Sequence, residues 1–428
     1  MATGATAFLG SASERLLSLS LPFRFFGAAV VFHLAAWGVL ALAAGEVADY
    51  RGGGGPVLAA VHLLTLGVFT MTAMGASLQL LPVATLQGFA APRLIGLIWW
   101  LFSLGTVILS AGMFLVWHQA MAGGGVLAGL AILLYLWLLL GNLRRGGALR
   151  AVVAHGWLSA ASLLGLLALG LGLIANQEHD LFADAQRGAA VHMLLAGYGF
   201  MGLLAMGFSY VLVPMFALTQ VPPAKAALAS LGLAVAGLGL ALAGVWSGQD
   251  GWAAVGAAAG LIAVAIHLGL MVQVLRQRMR KRLGPAFILI RLSWALLPIS
   301  LLLGIAWAMD NLPDWGGAVF TLSLFAWLLS LLMAILQRIV PFLASMHAAT
   351  AIKRRPPTVT ALTAQVPLSI HLYCHCAAFV LLCAGIIWPV PLLVGLGALT
   401  GAVGAAAFAW FFLAAVKKYR AALEKAAA

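Results

Sequence analysis

What most limits this chain is its succession of continuous apolar runs, each about as long as a bilayer is thick and separated by short polar segments. A bilayer core of roughly 30 Å is crossed by a helix of about 20 apolar residues. Twelve runs qualify, approximately 22–44, 56–83, 92–116, 120–140, 153–175, 189–217, 225–247, 252–275, 286–309, 315–342, 366–388 and 391–417. They are continuous rather than alternating, which predicts helices instead of a barrel, since in lipid every backbone polar group needs a partner within the protein. With 64% hydrophobic and 8% charged residues, the chain falls outside the range of soluble globular proteins. Arg15 and Arg24 precede the first run, but no clean small-residue cleavage site follows, so it is expected to remain as the first span.

The net charge of +13 would suit a nucleic-acid binder if it were clustered on one surface, but it is confined to alternate loops. One set holds Arg93, Arg144, Arg145, Arg150, Lys225, Arg276, Arg278, Arg280, Lys281, Arg282, Lys353, Arg354, Arg355, Lys417, Lys418 and Arg420; the other holds only Arg51 and Arg187. Basic loops mark the cytoplasmic side, which predicts both termini there and no nucleic-acid partner. The opposite loops carry Glu46, Asp49, Glu178, Asp180, Asp184, Asp250, Asp310 and Asp314, a face suited to a cationic partner. The three cysteines, Cys374, Cys376 and Cys383, all fall near the eleventh run, so there is no disulfide framework.

A repeat runs through the chain. Ala60-Val61-His62, Ala190-Val191-His192 and Ala318-Val319-Phe320 open the second, sixth and tenth runs, and Pro82, Pro214 and Pro341 mark the far end of each. The first two copies share an A-M-G-x-S-x-x-L-x-P ending, Ala73 to Pro82 and Ala205 to Pro214. Steps of 130 and 128 residues between the openings predict one polytopic domain over 1–428 made of three four-helix units, about 22–150, 153–282 and 286–417. The expected fold class is all-α integral membrane, with twelve transmembrane helices in three pseudo-symmetric arcs of four. A secondary transporter made of two six-helix halves would place its corresponding segments six helices apart.

No nucleophilic triad, phosphate loop or intramembrane carboxylate pair is present, so histidine is the titratable chemistry left in the core. His62 and His192 lie at matching repeat openings, where two imidazoles facing one cavity would serve a haem or a copper ion. His33 falls mid-way along the first run. His371 and His375 share a helical face in the eleventh with Cys374 beside them, a soft-metal or haem candidate. The order is not C-x-x-C-H, so covalent haem attachment is not expected. His267 reads as a satisfied core histidine, and His118, His155 and His179 as loop-proximal and solvated.

Twelve helices in three arcs of four, both termini inside, and histidines on helices 2 and 6 resemble subunit I of the haem-copper oxidase superfamily. Among its members, the divergent non-oxidase, NnrS-like haem proteins are the nearest in kind. The resemblance implies His62 as an axial ligand of a b-type haem, His192 at the place of a copper ligand, and His33, His371 and His375 as the pool for a second ligand or metal. It also implies a bacterial-type inner membrane, electron transfer or handling of nitric oxide or another diatomic gas, and an electron-donor protein on the outer face. The chain departs from the oxidases in having no histidine in Ala226 to Trp246 and none in the tenth run before His347, so terminal oxidase activity is not expected. The alternative is a twelve-helix transporter or metal permease with a histidine-lined path.

Overall fold

The computed structural model describes residues 17–89, 91–147, 149–280, 283–352 and 355–427, so Arg15, Lys281, Arg282, Lys353 and Arg354 lie outside the described residues. Twelve helices are long and apolar enough to cross a membrane. In chain order they are α1 (Ser20–Leu42), α2 (Pro56–Pro82, with helical structure continuing to Thr85), α3 (Pro92–Leu115), α4 (His118–Leu143), α5 (Arg150–His179), α6 (Ala185–Ala217), α7 (Ala224–Ser247), α8 (Asp250–Arg276), α9 (Ala286–Ala308), α10 (Gly316–Ala351), α11 (Gln365–Ile387) and α12 (Pro391–Ala427). This is an all-α membrane bundle, and among the described residues it contains no strand.

Helix boundaries follow local chemistry. Pro56, Pro92 and Pro391 stand in the first turn of α2, α3 and α12, where a missing N–H leaves no bond unmade. Asp184 caps α6 by accepting the Arg187 N–H at 3.0 Å. Pro82, Pro214 and Pro341 all lie inside their helices rather than ending them. The departure is largest in α10, which runs ten residues past Pro341 to Ala351 and so takes in His347.

Packing makes three walls. α11, α12 and α1 lie side by side and lead into α2; α3 to α6 form the second wall and α7 to α10 the third. The walls are therefore shifted by two helices from the sequence units, and each ends on a repeat helix. α2, α6 and α10 are the inner helices: 67, 94 and 83% of their most apolar stretches are buried, against at most 56% for any other span. Close crossings hold the walls. Between α7 and α8, a Cβ on Gly256 would sit 2.5 Å from the Ala241 backbone nitrogen, so this approach needs glycine.

An even number of spans puts the start of α1 and the end of α12 at one end of the bundle, together with the described basic residues Arg144, Arg145, Arg276, Arg278 and Arg280; the acidic loops occupy the other. Among the described residues only one ion pair forms, Arg187 with Asp184 at 3.1 Å at the acidic end.

Candidate functional site

Two of the three inner helices change their winding. Leu63–Thr70 of α2 and Leu195–Gly202 of α6 are π-helical, whereas α10 is α-helical throughout. Such wide turns are rare and tend to mark functional sites. The π segments are 132 residues apart, as are the A-M-G endings, but the histidines are 130 apart. Relative to the wide turn, each histidine thus occupies its own register. His62 immediately precedes the first π segment, and His192 stands three residues before the second.

The histidines nonetheless meet. Their ring centroids are 6.5 Å apart with 26° between the planes. His62 Nδ1 lies 3.0 Å from the Leu58 carbonyl oxygen, which can only accept. Nδ1 therefore carries the hydrogen and Nε2 the lone pair, the tautomer suited to a metal ligand. His192 packs against α5 where a side chain is missing: a Cβ on Gly170 would lie 3.0 Å from its Cε1. Around the pair, His62, Leu64, Thr65 and Leu66 on α2 and His192 to Ala196 on α6 are part-open, while Met71 to Gln79 are buried. The inner helices thus part at the acidic end and close toward the basic end.

A second constellation joins α1 to α11. His33 and His371 have ring centroids 6.2 Å apart, and His371 and His375 5.6 Å. All three are buried. Trp37 Nε1 donates to His33 Nε2 at 2.9 Å, which places the His33 hydrogen on Nδ1. His371 Nδ1 faces the Gly404 carbonyl at 3.1 Å, which leaves its lone pair on Nε2, and His375 Nε2 bonds Ser330 at 2.8 Å. His33 and His371 therefore offer one hydrogen and one lone pair, not two lone pairs to one metal. Cys374 packs against α12 at Gly404. Among the described residues no three His, Cys, Asp or Glu side chains are grouped to hold a metal ion, so Cys374, His371 and His375 do not form such a set.

A third cluster joins α5, α6 and α8. His155 lies in α5 and is fully buried rather than solvated, with Nδ1 2.7 Å from the Ala151 carbonyl. Its ring meets Tyr210 edge-on at 5.5 Å, and His267 Nδ1 bonds the Tyr210 hydroxyl at 3.0 Å. The helix starts at Arg150, so His155 is already more than one turn inside it. His267 is the satisfied core histidine expected, while His179 is exposed and His118 opens α4.

The third repeat copy contributes no ligand. Phe320 is buried and packs on Trp307 at 5.7 Å, and His347 lies far along α10. A scan against protein-family models finds none that matches, and a search of curated proteins finds no match either.

Proposed function

We propose that the protein binds haem, non-covalently as a b-type group, between His62 and His192, and that it transfers electrons within a membrane. The observation that carries this is the imidazole pair. Their ring centroids lie 6.5 Å apart, close enough for His62 and His192 to hold one bound group between them. The wide π turns and the part-open residues lie directly beside the pair, the kind of irregular winding that tends to mark a functional site.

When bound, haem supplies one-electron chemistry. The chain's part is to fix the imidazoles: Leu58 sets the His62 tautomer, and Gly170 leaves space for the Cε1 edge of His192 against α5. With His62 and His192 both holding the group, it would keep no free site for nitric oxide or another diatomic gas, which favours electron transfer. The positive-inside pattern supports cytoplasmic termini, which would turn the histidines toward the outer face; a bacterial-type inner membrane, with an electron-donor protein reaching them there, is part of the same proposal.

One observation favours a permease instead. Thr72 and Gln79 on α2 and Gln337 on α10 are buried with side-chain polar atoms that have no protein partner, which suits a polar path along the inner helices. The visible spectrum of purified protein, with and without dithionite, separates the two. Sharp reduced bands lost in His62→Ala and in His192→Ala support haem; a colourless folded protein sinks it and leaves the permease, for which metal analysis and uptake into vesicles are the next measurements.

A further inference from the structure

At the basic end of the bundle, where the connection after α8 meets the start of α9, lies a pocket of about 220 Å³. Arg278 and Arg291 line it together with Leu283, Gly284, Phe287 and Ile288. Phe287 and Ile288 precede Arg291 by four and three residues, and a helical side chain leans back over that turn toward the helix N-terminus. Rooted about 7–8 Å along α9 at roughly 1.5 Å per residue, Arg291 reaches back to line the same pocket as Leu283 and Gly284. Arg278 is anchored from the other side, where its Nη1 donates to the Leu275 carbonyl at the end of α8 at 2.8 Å.

This side of α9 faces the bilayer. Ile288, Ile299 and Leu302 are 52, 44 and 54% exposed and share one helical face with Arg291, which is exposed as well. An arginine on such a face keeps its stem in the apolar zone and draws its charge toward the headgroups. Here it arrives beside a second guanidinium. Two cations in one pocket repel each other unless an anion stands with them. Among the described residues the chain supplies none: the one ion pair is Arg187 with Asp184 at the acidic end, and Glu424, the carboxylate that shares the basic end, does not line the pocket.

We propose that this pocket binds an anionic phospholipid, its phosphate held by Arg278 and Arg291 and its acyl chains lying along the Ile288 face of α9. Guanidinium offers paired donors that match two phosphate oxygens, and basic pockets at helix ends suit acidic headgroups. A free phosphate would share the first contact but not the second. The site involves neither His62 nor His192 and stands whether the protein carries haem or acts as a permease.

The test uses the full-length protein in detergent, native mass spectrometry, and dioctanoyl phosphatidylglycerol as probe. The expected result is one tightly held molecule per chain, weakened about tenfold in Arg278→Gln and in Arg291→Gln. Arg144→Gln and Arg145→Gln remove the same charge at the basic end, outside the pocket lining, and should leave that molecule in place. Ile288→Glu puts a carboxylate in the pocket, so it should displace the lipid while leaving both arginines present. All five side chains are exposed, and gel filtration confirms that each variant folds. Phosphatidylcholine of the same chain length should bind about tenfold more weakly, and inorganic phosphate at equal concentration should displace nothing. Equal binding of the two lipids, displacement by inorganic phosphate alone, the same loss in the Arg144 and Arg145 variants, or binding unchanged in the Arg278, Arg291 and Ile288 variants would each overturn the proposal.

Discussion

Gly170→Ala probes the imidazole pair without touching a histidine. A Cβ at position 170 would come 3.0 Å from His192 Cε1 and 3.6 Å from its Nδ1. Carbon atoms in ordinary contact sit about 3.5–4.0 Å apart, so the ring must retreat by roughly 0.5–1 Å. Ligand distances at a metal site tolerate only about 0.2 Å. If haem is held as proposed, His192 would then leave it or be strained against it, and loss of ligand orientation typically weakens retention about 10–100-fold. Gly165→Ala is the matched control. It lies on the same helix, gains the same helix propensity, and its Cβ would meet Leu195 at an ordinary 3.6 Å. The assay is haem content per chain after purification, together with the reduced spectrum at low temperature. Position 170 should lose haem or shift from a low-spin to a mixed spectrum, and position 165 should match the natural protein. Equal haem content and identical spectra for the two variants would refute His192 as a ligand.

Three further outcomes are expected. Ser77→Ala strands the buried Tyr135 hydroxyl, whose contact with Ser77 is 2.6 Å; the stability loss should be about 1–3 kcal/mol, and Ser77→Ala combined with Tyr135→Phe should recover most of it in detergent melts. Gly256→Leu drives a side chain into the Ala241 backbone, which cannot turn aside, so it should lower the melting temperature and folded yield far more than Gly251→Leu, where nothing lies within 4 Å. Reporter fusions after Ala427 and within the Glu46–Tyr50 loop should read cytoplasmic and outer respectively; the reverse would overturn the topology.

The sequence announced the bundle clearly because each span must be apolar along its whole length. The repeat also singled out α2, α6 and α10, the helices the structure makes innermost. The wide turns were harder to see. Both are eight residues long and start ten residues ahead of their A-M-G endings, so they leave no mismatch between the copies; the 130-residue step of the histidines against the 132-residue step of the endings records only the histidines' own shift. His155 was misplaced because its helix begins with Arg150, a charged residue that apolarity alone cannot include. No periodicity links α1 to α11, so His33 was a candidate in the sequence without a visible neighbour, and only the walls of the bundle bring it to His371. Trp37, four residues from His33, was the one legible partner.

The parting of the inner helices at the acidic end, with tight packing below, has a consequence for traffic. A molecule that reaches His62 and His192 from that end meets a floor and must leave by the way it came. Electrons are the one cargo for which such a floor is no obstacle, since they cross packed protein without a passage. Anything heavier would require α2, α6 and α10 to separate along their buried halves, and such a motion would reveal itself as slow, reagent-dependent exposure of residues now closed to water.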